Sequence, residues 1–374
     1  MTIAQSPALD TLKPATLNAQ QKPTVEQLAE LQKEFDALRD SIKADLGQRD
    51  ADYIRNIIRV QRFCEVAGRT LIHFSFTPVT FLLGVTALSI SKIMDNMEIG
   101  HNVMHGQYDW MNDPKIHSRN FDWDTACDNK SWMRTHNYEH HTFTNILGKD
   151  RDYGYAVLRL SDDTPWHPMR SIQILYFGLL SAFFQWGVAL HELEFEKVRE
   201  GTFDLEAKKP FIKAAMKKAG RQVFKDYIFF PALAGPFFWK VMLGNGMANL
   251  ARNLWASTII FCGHFTEGAQ TFSEEECENE TRGHWYYRQI LGSSNFEGGR
   301  LLHIMSGHLS YQTEHHLFPD IPAHRYAEMA PKVKEIAERY GIPYNTGPFR
   351  KQYASVIKRV LKYSLPGKAR KITA

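Results

Sequence analysis

The stretch Thr135–Asn145, THNYEHHTFTN, decides the fold. Positions four apart share one face of a helix, so His136 and His140 address one point in space. His140 and His141 are separated by about 100° around a helix axis, so as neighbours they lean toward two different points. Working outward, His101-Asn-Val-Met-His105 repeats the four-residue spacing upstream, and Gln312-Thr-Glu-His315-His316 repeats the adjacent pair far downstream. With 16 histidines in 374 residues, an HxxxHH run arises by chance roughly 0.03 times per chain. A lone histidine is ordinarily a packed or surface residue; three ordered clusters are not.

Imidazole suits iron, zinc, copper and nickel. A structural zinc site takes only four ligands, usually including cysteines. The cysteines here, Cys64, Cys127, Cys262 and Cys277, are scattered and stand outside the clusters. The clustered histidines therefore point to two metals. Soluble di-iron bundles use carboxylate-rich Glu-x-x-His pairs, which have no counterpart among these residues. Two irons that bind and split O₂ generate an oxidant strong enough to take hydrogen from an unactivated CH₂.

Outside the clusters the chain reads as an amphipathic helix and several apolar runs joined by turns and loops. Residues 1–24 carry no apolar period and read as a disordered tail. Residues 25–62 read as an amphipathic cytoplasmic helix, with apolar residues at three and four. Leu71–Met94 is long enough to span a bilayer once, with a break at Pro78 as a shallow re-entrant alternative. Ile172–Leu190 is a second apolar run. Tyr227–Leu243 and Met247–Cys262 form a third, paired run, with LGNGM between them as a hairpin turn. If every cluster faces one compartment, an even number of crossings separates the second from the third. The paired run supplies two, which leaves Ile172–Leu190 interfacial or re-entrant. The intervening loop, with Lys208, Lys209, Lys213, Lys217, Lys218 and Arg221, then lies on the cytoplasmic side. The expected fold class is all-α: an integral membrane helical protein beneath a cytoplasmic, histidine-lined di-iron cap. The basic residues 346–374 read as a C-terminal tail.

EIGHNVMHGQYDW, THNYEHHTFTN and YQTEHHLFP together resemble the three histidine boxes of the membrane fatty-acid desaturases. The resemblance runs from about Arg62 to Tyr353 and defines an expected desaturase domain over 63–345. By position it implies iron ligation by His101, His105, His136, His140, His141, His315 and His316. Gln312 stands where other branches carry a histidine and is the weaker candidate. The family also has an isolated histidine at the end of its last membrane helix, and His264 in IIFCGHFTEG matches it. Related acyl-CoA enzymes carry an asparagine four residues before that histidine; here it is Ile260. The QxxHH box resembles the front-end, linoleoyl-CoA-desaturase-like branch. The wording around the boxes, NMEIGHNVMHGQYDWMNDP and AGRQVFKDY, resembles bacterial acyl-CoA desaturases, many of them acting at Δ9. The resemblance implies O₂ as co-substrate and a cis double bond placed in an acyl-CoA or acyl-lipid. The rival readings are lipid or alkane hydroxylation on the same metal centre and, more distantly, a metal carrier, whose ligands would sit within spanning helices.

Other residues carry smaller expectations. Asp150 and Asp152 are placed to hold histidine N–H groups or to cap a turn. His308 reads as structural. His73, His117, His167, His191, His284, His303 and His324 read as ordinary. Trp110, Trp132 and Trp186 read as anchoring or core residues, with an acyl tunnel as the alternative. The stretch Lys208–Arg221 is either a solvated loop or a contact for coenzyme A phosphates. A net charge of +4 and 13 % aromatics suit an anionic membrane surface and exclude nucleic acid as a partner. A mean hydropathy of −0.37 leaves a large polar part outside the bilayer. The N-terminus lacks signal-peptide order, and the expected location is a bacterial inner membrane with the active site facing the cytoplasm. Neither HPGG nor GxGxxG occurs, so electrons are expected from a separate ferredoxin-like or flavin reductase drawing on NAD(P)H.

Overall fold

The computed structural model describes residues 22–191, 193–194, 197–198 and 201–367. Among them there is no β-strand, only the isolated bridges Ile146–Phe272 and Glu297–Pro348. Most of the proposed disordered tail, residues 1–21, lies outside the described residues. So does the end of the C-terminal segment, 368–374.

The amphipathic region is two helices rather than one. Helix α1, Val25–Ala44, opens on a capping box in which Thr24 and Gln27 each satisfy the other's backbone N–H. It buries Leu31 and Phe35. The chain breaks over Asp45–Gly47, and helix α2, Gln48–His73, runs on past residue 62. It therefore forms the first arm of the apolar hairpin. Phe74–Thr77 make the turn, with Phe76 95 % exposed at the tip. Helix α3, Pro78–Ile93, returns with Thr77 as cap and Pro78 in its first turn. Two glycines let the arms touch. A Cβ on Gly68 would sit 2.6 Å from Leu88 N, and one on Gly84 would sit 2.8 Å from Ile72 N.

Helix α3 continues without a break as a π-helix, Met94–His101, and then as Asn102–Met104. Pro78–Met104 is the one described helix long and apolar enough to cross a membrane by itself. The Ile172–Leu190 run is bent: helices α4, Gln173–Ala182, and α5, Phe184–His191, belong to a pair that turns by 91° at the break between them.

The paired run turns elsewhere than its sequence implies. Lys208–Arg221 is not a loop but part of helix α6, Leu205–Phe224. The chain then passes through a π-turn, Lys225–Phe229, and a short helix, Phe230–Ala232. The reversal falls at Gly235 (φ +51°) and Pro236. Helix α7, Phe238–His264, then runs unbroken through LGNGM. The glycines there serve packing: a Cβ on Gly244 would press to 3.0 Å from Ile72 Cγ2. Asn245 and Asn249 on α7 donate to the carbonyl and carboxylate of Asp226 at 2.6 and 3.1 Å, so two antiparallel arms persist about a displaced turn.

The cap is built from helix α8, Arg282–Gly292, helix α9, Gln312–Leu317, and helix α10, Tyr326–Arg339. Phe35 of α1 packs on Tyr286 of α8 at 5.2 Å between ring centroids. The expected basic tail is largely helix α11, Phe349–Ser364. Val356 and Val360 on it are fully buried in the cluster that also holds Phe177, Ile259 and Phe261. A period of four brings its apolar residues to one face, and that face meets α4 and α7.

Candidate metal centre

The first two boxes lie on or beside π-helical turns. Met94–His101 ends on His101, and Met133–His140 contains His136 and His140. Such turns recur at functional sites because they re-aim side chains within a helix. Box three is on α9, and His264 ends α7. The four elements converge so that each boxed histidine meets at least two others. His101, His105, His136 and His315 place one ring nitrogen each within 4.8 Å of one another. His140, His264 and His316 form a second such group, and His141 joins His315 and His316 between the two. The His141 and His316 rings stack at 4.4 Å.

In four of the rings hydrogen bonds fix which nitrogen faces inward. His140 Nδ1 lies 3.0 Å from both oxygens of Asp150, and His136 Nδ1 lies 2.9 Å from Asp152 Oδ2. A carboxylate only accepts, so each Nδ1 carries the proton and Nε2 presents its lone pair. Gln289 Oε1 does the same for His316 at 2.9 Å, and Asn102 Oδ1 for His101 at 3.0 Å. Several inward nitrogens then lack partners. Nε2 of His105, His136, His141 and His315 is buried with no hydrogen bond among the described residues. His264 Nε2 and His316 Nε2 face each other at 3.0 Å. Buried polar atoms are otherwise satisfied, so these orphaned lone pairs fit metal ions.

Electrostatics agree. Burial, and then the neighbouring imidazoles, hold His105, His141, His315 and His316 well below their ordinary value. These rings are neutral, as ligands must be. His140 differs: burial opposes its protonation, but the Asp150 carboxylate outweighs that and raises it.

Gln312 reaches the same place. Its Nε2 is 2.9 Å from His264 Nε2, and its Oε1 is buried and unpartnered among the described residues. His308 stands apart, with Nδ1 3.0 Å from Glu98 Oε2. Of the histidines read as ordinary, His73, His303 and His324 are held by local partners. His191 is not ordinary. Its Nδ1 lies 3.1 Å from Asp152 Oδ1, so one carboxylate bridges it to His136. No spacing links residues 136, 152 and 191, and only the bend at the α4–α5 break brings the last one in.

A cavity opens from His101, His136 and His264 and runs between Trp132, Tyr155, Phe184, Ala256 and Ile260. Trp132 stacks on His136 at 4.5 Å and lines this cavity, so it belongs to the site rather than to a distant core. Trp110 is 37 % exposed outside it, and Trp186 packs against the Trp123–Trp132 cluster. Ile260 forms part of the apolar wall of this cavity.

The sequence model of the fatty acid desaturase family matches residues 75–348, and the chain belongs to that family. It is 45 % identical to an NADPH-dependent stearoyl-CoA 9-desaturase of Mycobacterium tuberculosis, over 90 % of this chain and 79 % of that protein. It is 25 % identical to an sn-1 linoleoyl-lipid 6-desaturase of Synechocystis, over 73 % of this chain and 78 % of that one. With the human protein named fatty acid desaturase 3 it shares 25 % identity, over 62 % and 49 %.

Proposed function

We propose that this chain is an acyl-CoA desaturase that places a cis double bond at Δ9 and draws electrons from a separate NAD(P)H-linked donor. One observation carries the metal half of that reading: the imidazoles fall into two groups whose ring nitrogens converge, and Nε2 of His105, His136, His141 and His315 is buried with no partner among the described residues. His101, His105, His136 and His315 would hold one iron, and His140, His264 and His316 the other, with His141 between them. Gln312 would touch the second site through His264 rather than as a full ligand. When bound, two irons supply O₂ activation strong enough to break an unactivated C–H bond.

The chain's own residues do the rest. Asp150, Asp152 and Gln289 keep the imidazoles in one tautomer and orientation. Trp132, Tyr155, Phe184, Ala256 and Ile260 give an apolar wall that excludes water and fixes which methylenes face the centre. The 45 % identity to a stearoyl-CoA 9-desaturase supports acyl-CoA and Δ9 over an acyl-lipid. A cleft that shares Trp123 with the cavity is lined by Arg62, Lys218, Arg221 and Lys225 and equally by Glu65, Asp95, Asp122 and Asp124, so its charge is balanced. Lys218 Nζ donates to the Trp123 carbonyl at 2.7 Å, which ties the cleft to the cavity wall. Outward-facing Phe74, Phe76, Leu82, Leu83, Phe238 and Trp239 at the hairpin tips support burial in a bilayer. The metal end then faces the cytoplasm, on the inner membrane of a bacterium.

Expression in a host lacking Δ9 activity, followed by mapping of double bonds, tests the reading. The expected product is two mass units lighter than its substrate and unsaturated at C9. A product carrying added oxygen would favour hydroxylation, and an active His140→Ala variant would sink the metal assignment. Reversing the charges of Lys218 and Arg221 is expected to raise the apparent KM for acyl-CoA.

A further inference from the structure

We infer that His191 is a positioning residue of the metal centre, acting on His136 through Asp152; this rests on the two-metal reading proposed for the boxed histidines. His191 ends α5, and the 91° turn between that helix and the segment before it brings the ring inward. Phe184, Val188 and His191 are spaced by four and three residues, so they share one face of the helix. All three line the apolar cavity, and the Tyr155 ring lies 5.6 Å from the His191 ring between centroids. The histidine is the last residue of a cavity wall and the partner of a carboxylate that the metal centre also uses.

Both of its ring nitrogens are engaged. Nδ1 lies 3.1 Å from Asp152 Oδ1, and Nε2 lies 2.8 Å from the Arg151 carbonyl oxygen. A carboxylate and a carbonyl only accept, so both nitrogens donate, and the ring in this geometry is an imidazolium. The Arg151 guanidinium donates in return to the His191 carbonyl. Residues 151 and 191 are clamped by this reciprocal pair of bonds, and Asp152 is the next residue along the backbone.

Asp152 offers one oxygen to each histidine. Oδ2 accepts from His136 Nδ1 at 2.9 Å, while Oδ1 faces His191. The Asp152 backbone N–H donates to Asp150 Oδ1 at 3.0 Å, which ties it to the carboxylate that holds His140. Without His191 the carboxylate would lose the contact that sets its rotation. Its charge would also bear on His136 alone. A carboxylate on the outer nitrogen of a ligating imidazole sets the ring's orientation and raises its basicity. By sharing that carboxylate, His191 fixes its plane and moderates its pull. The effect reaches His136 Nε2, which is buried and unpartnered among the described residues.

The test uses the full chain in detergent, with ferrous iron as probe. His191→Phe keeps a ring against Tyr155 and removes both bonds. It is expected to bind iron about tenfold more weakly, read by competition with a chromogenic chelator, and to alter the Mössbauer spectrum of the iron that stays bound. Asp152→Asn is expected to weaken binding at least as much. Adding His191→Phe to Asp152→Asn should cost nothing more, because the histidine acts only through the aspartate. His191→Ala, which carries no ring, should repeat the pattern and replaces His191→Phe if that chain does not fold. Losses that multiply in the double variant would overturn the proposal. So would a His191 variant whose metal-free unfolding temperature falls while its iron affinity and spectrum stay unchanged, the mark of a merely structural residue. If the unsubstituted chain binds no iron, the two-metal reading fails and this role falls with it. Full iron binding with multiplying losses removes only the role of His191.

Discussion

Asp150 does two jobs with one carboxylate: it holds His140 Nδ1 and accepts from the Asn145 backbone N–H at 2.7 Å. Replacing it with asparagine keeps the shape but removes the charge that settles the imidazole tautomer. Asp150→Asn is expected to lower iron affinity by about 10- to 100-fold, read as iron per chain after dialysis; full occupancy would show that His140 is oriented by packing alone. His264 and Gln312 separate in the same assay. His264→Ala is expected to lose one of two irons, and Gln312→Ala to keep both, because the glutamine touches the site through the histidine. Much of this was legible in the sequence. The i,i+4 and adjacent spacings need only helix geometry, and all eight proposed histidines converge. His191 was illegible because its link to His136 passes through Asp152 and a bend, neither of which leaves a period in the chain.

Among the elements, the two hairpins show why apolar runs were found more readily than their turns. Glycine permits reversal and also permits close packing, and a sequence does not say which. At Gly244 the neighbour is Ile72, so the helix passes straight through; at Gly235 a positive φ and the following proline make the turn. The hairpins are also pinned by charges. Lys92, 2 % exposed within α3, bonds Asp226 at 2.9 Å and Asp124 at 3.2 Å. Breaking a buried pair by removing one partner strands the other. Lys92→Met is therefore expected to cost about 3–5 kcal/mol, measured by thermal unfolding in detergent; a change within error would mean that Arg69 and Lys225 already neutralise Asp226. The cavity gives a separate expectation. Ala256 is the small residue on its α7 wall, between Ile260 and Asn253. Ala256→Phe is expected to shift product toward shorter acyl chains at a stability cost of about 1–3 kcal/mol, since Ala256 is buried in the core. An unaltered chain-length profile would place the acyl chain elsewhere.

At the scale of the whole molecule, the histidine cluster is where the hairpins and the cap meet. Helix α7 rises from the hairpins, α9 belongs to the cap, and the first two boxes connect the halves. Metal that binds only this assembly stabilises it by mass action, about 2.7 kcal/mol at a hundredfold excess over Kd. Chelation is expected to lower the unfolding temperature and iron to restore it; zinc restoring stability without activity would separate the structural from the chemical role. The all-helical architecture and the convergence of the boxed histidines were present in the sequence, but the C-terminal helix was not. Its basic residues suggested a tail, whereas its burial depends on α4 and α7, which lie far away along the chain.

That helix and the third box have a consequence for biosynthesis. Ribosomes deliver the hairpins first, and the translocation machinery can seat them while His315, His316 and α11 are still unsynthesised. One proposed ligand group is complete only when residue 315 has emerged and the other when residue 316 has, and α7 lacks its α11 cover until residue 364 has followed. Loading is thus a late event in the life of each molecule. A nascent chain stalled before Gln312 should be found in the membrane fraction yet carry no tightly held metal.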